Sequence, residues 1–297
     1  MRALTSDGHT RVSPLVALVV AIAAVSTSAI LIRWSSAPSL VKAFYRVFFT
    51  TVFVAPVALR GHSDDFRKLS RRDLIGAGGA GLALAIHFSL WFESLAWTSV
   101  AASVTLVQSQ PVFVACGAAL FLDEHVSRRV VAGLGIALCG MIVMSASELI
   151  AGASSVAPAP LYGNALAVGG AIMAAVYVLA GRALRQRVSL LPYVTVVYVV
   201  CTAVLFVFVL VRGLPLVAYP PEEWILFLAM AIGPGIFGHT VINWALAHVE
   251  SSVVSVSLLG EPVGSTLLAL FLLSEVPGIL TVVGGGIVLS GIFITTR

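Results

Sequence analysis

The chain has 297 residues, of which 59% are hydrophobic and 10% charged, and its mean hydropathy is +1.06. A water-soluble globule of this composition would expose far more apolar surface than water tolerates, so the chain reads as a polytopic membrane protein with no room for a separate soluble catalytic domain. The net charge of +4 does not indicate nucleic acid, because the basic residues lie between apolar runs and form no patch.

A helix needs about 20 residues to cross the hydrocarbon. That length predicts ten spans, at 14–32, 38–59, 73–95, 98–122, 129–149, 161–181, 189–211, 223–247, 251–273 and 277–296. The first, although it follows Arg2 and Arg11, is longer than a signal-peptide core and is expected to be retained. With ten spans, all Lys and Arg residues except Arg33, Lys42, Arg46 and Arg212 fall on one side, which places both termini in the cytoplasm. Residues 150–160, rich in Ala, Ser and Pro, form an outer linker between residues 14–149 and 161–297.

Those two halves repeat each other. Gln110-Pro111-Val112 with Ala118, Leu122, Glu124, Val131, Gly133, Gly135, Ile136, Leu138 and Gly140 returns as Glu261-Pro262-Val263 with Ala269, Leu273, Glu275, Val282, Gly284, Gly286, Ile287, Leu289 and Gly291. The ungapped register gives about eleven identities in about thirty positions. Five spans precede the second copy, so it enters the membrane upside down. Inverted repeats are a mark of transporters that expose a central site to each side in turn. The glycines at Gly76, Gly79, Gly133, Gly140, Gly284 and Gly291 suit close helix packing.

Polar side chains at bilayer depth are costly unless paired or wet, so each is a functional candidate. On the third span His87 and Trp91 share a face, with Glu93 nearer the outer end; on the eighth His239 and Asn243 repeat that spacing. A histidine beside an aromatic suits an amphipathic ligand, and a hydrogen bond to a neighbouring helix is the alternative. Gln108 precedes Pro111, and Ser257 and Glu261 lead into Pro262; the two prolines are the expected hinges, at equivalent points of the repeats. Glu261 either binds a proton or is held by hydroxyls and carbonyls near its proline. Tyr177 and Met173, one turn apart on the sixth span, either line a cavity or pack. Arg46 is expected to snorkel outward or to pair with a carboxylate such as Glu93. Glu124 and Glu275, at opposite membrane faces, suggest matching capping or gating roles. Cys116, Cys139 and Cys201 lie in apolar segments and read as packing thiols. No metal-ligand spacing, serine nucleophile motif or phosphate loop occurs, so neither a cofactor nor an enzyme activity is expected.

Pro38-Ser39-Leu40-Val41-Lys42-Ala43-Phe44-Tyr45-Arg46 resembles the opening of the second helix in EamA-type members of the drug/metabolite transporter superfamily, and Glu261-Pro262-Val263 with Glu275 resembles that family's most repeated motif. The resemblance covers almost the whole chain as two EamA repeats. It implies an all-α membrane protein of ten helices, with a cavity lined mainly by helices 1, 3, 4, 6, 8 and 9. Within the group the chain looks most similar to bacterial aromatic amino acid exporters, which implies an inner-membrane protein whose partners are small-molecule substrates and lipid, with a monomer as the expected assembly. It departs from the family in carrying Gln110 where a glutamate often precedes the first-repeat proline. Efflux of cationic drugs or other metabolites, with Glu261 as counter-charge or proton carrier, is the alternative. An intramembrane lipid enzyme and a passive channel are the rivals from other classes.

Overall fold

A computed structural model describes residues 13–121, 127–151, 157–185, 187–241 and 260–295. Among these residues there are helices and no strands. The helices are α1 (Pro14–Trp34), α2 (Ser39–Gly61), α3 (Ser63–Arg67), α4 (Arg71–Trp97), α5 (Val100–Val107), α6 (Gln110–Phe121), α7 (Arg128–Ala151), α8 (Pro160–Arg185), α9 (Leu190–Val211) and α10 (Pro221–Met230). They continue as a π-helical segment, Ala231–Thr240, and then as α11 (Gly260–Leu272) and α12 (Ile279–Thr295). Among the described residues α1, α2, α4, α8 and α9 are each long and apolar enough to cross a membrane, and shorter apolar helices supply further stretches. Side chains such as Val211 and Phe271 are more than three-quarters exposed. That is the expected surface for a protein solvated by lipid.

The helix boundaries follow local chemistry. α4 starts two residues before the expected span because Ser70 and Asp73 form a capping box: the Asp73 amide donates to Ser70 Oγ at 3.2 Å and the Ser70 amide donates to Asp73 Oδ2 at 3.1 Å. α9 ends at Gly213, whose φ of +61° needs no Cβ, and the Leu214 amide reaches back to the Val209 carbonyl at 3.1 Å.

Two expected spans are not regular rods. The stretch 98–122 is broken into α5 and α6 by a turn at Gln108 and Ser109. Pro111 has no amide hydrogen and sits in the first turn of α6, where none is needed. Ser109 closes the turn by donating its amide and its hydroxyl to the Leu106 carbonyl, at 3.1 and 2.6 Å. The expected span 223–247 begins as α10 and widens to π-helix from Ala231, over a segment holding Pro234, Gly233, Gly235 and Gly238. These small residues press against α1 and α2: a Cβ on Gly235 would lie 2.7 Å from Thr50 Oγ1, and one on Gly238 would strike the Val25 side chain.

α7 and α12 cross backbone to backbone. A Cβ on Gly140 would lie 2.7 Å from the Gly284 carbonyl and 2.6 Å from the Val288 amide, while one on Gly291 would lie 2.5 Å from both the Gly133 carbonyl and the Ala137 amide. Residue numbers rise along one helix as they fall along the other, so the pair is antiparallel. Gly76 packs against Leu184, but Gly79 has nothing within 4 Å and serves no such approach.

One end of the bundle gathers the C-termini of α1 and α4 with the N-termini of α2, α5, α8 and α10; Trp34 marks it. There the Ala159 amide bonds the Trp97 carbonyl at 3.2 Å and Thr98 Oγ1 donates to Asn164 Oδ1 at 2.8 Å. At the other end, Arg187 Nε meets Asp73 Oδ1 at 2.7 Å and Ser189 Oγ meets Asp65 Oδ2 at 3.1 Å. Hydrogen bonds from Lys68 and Ser189, with the nearby charge of Lys68, hold the Asp65 carboxyl below the usual aspartate range. The major core joins α1, α2, α4, α9 and α10, and a smaller one joins α5, α6, α7 and α12 around Ala167 of α8.

Candidate functional site

Arg46 lies two turns inside α2 and is only 2% exposed. It neither snorkels nor pairs with Glu93, contrary to the sequence expectation. α2 turns this face inward, and its guanidinium instead sits over Phe88 at 4.7 Å, Phe92 at 5.6 Å and Trp91 at 5.7 Å from the ring centroids. Aromatic faces replace part of the lost hydration of a buried cation. Arg46 Nη1 donates to Ser28 Oγ on α1 at 2.8 Å, and the side chain borders a cavity of about 20 Å³ with Thr50, Tyr198 and Gly235. Glu93 turns aside because its Oε1 accepts from Trp97 Nε1, one turn on, at 2.8 Å.

Glu261, at the start of α11, is 9% exposed. Its Oε2 accepts from Gln108 Nε2 at 2.5 Å, so the turn between α5 and α6 delivers an amide to the second repeat's carboxylate. α11 is stitched to α1: Ser265 Oγ donates to the Ser26 carbonyl at 3.1 Å, and Ser26 Oγ to the Glu261 carbonyl at 3.5 Å. Glu261 and Arg46 are near enough to act on each other electrostatically, yet they form no ion pair among the described residues.

His87 and Trp91 stack at 5.9 Å between centroids, with 21° between their planes. His87 Nδ1 lies 2.9 Å from the Gly170 carbonyl on α8, so that nitrogen carries the proton and donates. The bond to a neighbouring helix is therefore made. It orients the imidazole and leaves Nε2 as its free position. Trp91 is 4% exposed, and its Nε1 is buried without a hydrogen-bond partner among the described residues. A buried N–H without an acceptor is costly, and next to a buried guanidinium it adds a second donor to the same neighbourhood.

The structure thus brings together Arg46, Trp91 and His87, with the Gln108–Glu261 pair within electrostatic reach of Arg46. Tyr177 packs against the major core, as does Tyr198, which borders the small cavity at Arg46. Pro111 and Pro262 stand in the first turns of α6 and α11. Asn243, Ser257 and Glu124 lie outside the described residues; His239 falls in the π-helical segment, and its side chain is also outside them. Sequence reasoning missed Ser26, Ser28, Phe88 and Tyr198. Of these only Phe88, adjacent to His87, carried a local signal.

Glu275 follows the end of α11, after Ser274 at a left-handed φ of 54°. That bend aims its carboxylate back at the first repeat. Oε1 accepts the Val100 amide at 2.5 Å, capping α5, and Oε2 lies 3.5 Å from Arg33. Nearby, Glu223 accepts from Ser35 Oγ and from the Ser36 amide at 2.6 Å. Two carboxylates of the second repeat therefore hold the α1–α2 turn and the α5 N-terminus.

The model of the EamA-like transporter family matches residues 12–146 and 161–297, one copy in each half of the chain. The chain belongs to the EamA-like transporter family. This EamA protein is 28% identical over 249 residues to an uncharacterised transporter of Archaeoglobus fulgidus, covering 82% of this chain and 83% of that one. It is 23% identical over 214 residues to a second uncharacterised transporter of the same organism, covering 72% of each. A solved crystal structure superposes with a TM-score of 0.64 over 95% of both chains at 21% identity, a likeness of fold. The EamA protein is accordingly an all-helical, multi-span membrane transporter of small molecules built from two inverted repeats.

Proposed function

We propose that this EamA transporter exports amino acids, aromatic and other neutral ones among them, across a bacterial inner membrane by alternating access. The moving parts are the repeats at 14–149 and 161–297, with both termini in the cytoplasm, as the basic loops favour. The observation that carries the reading is the buried Arg46 guanidinium, bonded among the described residues only to Ser28 and lying over the ring of Trp91, whose Nε1 has no partner among them, with Glu261 on the opposite repeat. An amino acid would bring its carboxylate to the two donors and its ammonium to Glu261, and an aromatic side chain would find the faces of Phe88 and Trp91. Binding across the repeat boundary ties occupancy to the relative position of the halves. Pro111 and Pro262 are the hinges of this scheme.

Purified protein in liposomes moves labelled phenylalanine with saturation and counter-transport in this reading. Trp91→Ala and His87→Ala impair the flux while the protein still folds. Absence of flux for every neutral amino acid overturns the assignment.

Glu261 favours a second reading, efflux of cationic drugs or metabolites coupled to protons. Glu261→Gln separates the two: loss of cation efflux and of its response to an imposed pH difference, with amino acid flux intact, assigns Glu261 to the second cargo.

A further inference from the structure

A second cavity, separate from the Arg46 cluster, opens at the Trp34 end between the α1–α2 turn, α4, α8 and the α9–α10 turn. Its volume is about 640 Å³, and its wall includes Lys42, Glu93, Arg212, Ser89, Leu90 and Tyr162. That volume lies within the range of small-molecule sites. The charged groups come from three elements: Lys42 from the first turn of α2, Glu93 from α4 and Arg212 from the end of α9. Lys42 Nζ donates to the Ile32 and Ser35 carbonyls, at 3.0 and 3.3 Å, which fixes the ammonium and leaves one of its three donors for the cavity. Arg212 follows the last turn of α9 and makes no ion pair among the described residues. Glu93, oriented by Trp97, keeps Oε2 available. Leu90 and Tyr162 supply apolar surface between the charges.

We infer that this cavity is a second binding site for zwitterionic amino acids, holding the carboxylate on Lys42 and Arg212 and the ammonium on Glu93, with the side chain against Leu90 and Tyr162. The inference rests on the amino acid reading above and adds a staging position at the Trp34 end. Lys42 stands one turn before Arg46 on α2, so a carboxylate passing between the sites moves from one fixed cation to the next without becoming unpaired. Glu223, held by Ser35 and Ser36, is the other carboxylate within electrostatic reach of Lys42.

Equilibrium binding of labelled L-phenylalanine to the full chain in lipid nanodiscs tests this. Wild-type protein should bind two equivalents. Arg212→Gln, an exposed position, and Glu93→Gln should each weaken one of them about tenfold and spare the other. Arg46→Gln should do the reverse. Phenylalaninamide, which lacks the carboxylate that both sites hold, should lose both equivalents. A single equivalent in the wild type that is unchanged in Arg212→Gln and Glu93→Gln overturns the second site and leaves the export reading standing. Wild-type protein that neither binds nor transports phenylalanine overturns both.

Discussion

Gly140 and Gly291 stand at the same position of the two repeats, and each lies against the backbone of the other's helix. Gly140 meets Gly284 and Val288, and Gly291 meets Gly133 and Ala137, the equivalents of those partners in the opposite repeat. The mutual contact of equivalent residues on antiparallel helices is what a two-fold axis in the membrane plane produces. Without a hydrophobic drive between helices in lipid, close backbone approach supplies much of the association, which is why Cβ atoms are excluded at this crossing.

Gly140→Val and Gly291→Val should therefore separate α7 from α12 and destabilise the protein by about 1–3 kcal/mol each. Gly79→Ala, with open space around it, should leave the melting temperature unchanged or slightly raised. Thermal denaturation in detergent compares the three. Equal tolerance at all three positions contradicts the crossing.

Arg46→Gln should reduce phenylalanine flux at least about tenfold, since both the charge and the bidentate geometry are lost. Arg46→Lys keeps a cation over Phe88 and should fall between the two. Initial rates in liposomes, normalised to folded protein, give the order wild type, lysine, glutamine; the same rate in all three removes Arg46 from the site.

The Arg33–Glu275 pair closes the Trp34 end across the repeats, with Glu275 nearly fully buried and Arg33 mostly so. Glu275→Gln should lower stability by about 1–2 kcal/mol, through loss of the ion pair and of the charged cap on α5. A double-mutant cycle with Arg33→Met should return a favourable coupling; additive effects would show that the pair contributes nothing.

Asp65 provides a pH dependence outside the membrane. Its carboxyl is held low in the folded state by Lys68 and Ser189, so the stabilisation is full above the ordinary aspartate pKa and fades as pH falls through the lower folded value. Amide exchange in α3 and the first turn of α9 should accelerate on acidification. In Asp65→Asn that pH response should be absent, and its persistence would locate the titrating group elsewhere.

The break before Pro111 and the inward Glu261 were foreshadowed because a proline or carboxylate at mid-membrane announces itself in a hydrophobic run. Close packing at Gly133, Gly140, Gly284 and Gly291 was also foreshadowed, by glycines recurring at one spacing in both repeats, but not that α7 and α12 are each other's partners. Arg46 was misplaced, since depth along a helix says nothing about which way the helix faces. Ser28 and Tyr198 were invisible for a related reason: they are ordinary residues until another helix lays a guanidinium beside them.

Sequence alone determined that this chain is a helical membrane protein in two repeats, because apolar run length and an internal match are properties of one dimension. Tertiary structure alone decided that Arg46 lies over Phe88 and Trp91, that Gln108 reaches Glu261 and that Glu275 caps α5. Those relations join residues from separate helices, and the rotation and crossing of each helix are set by side-chain packing against its neighbours.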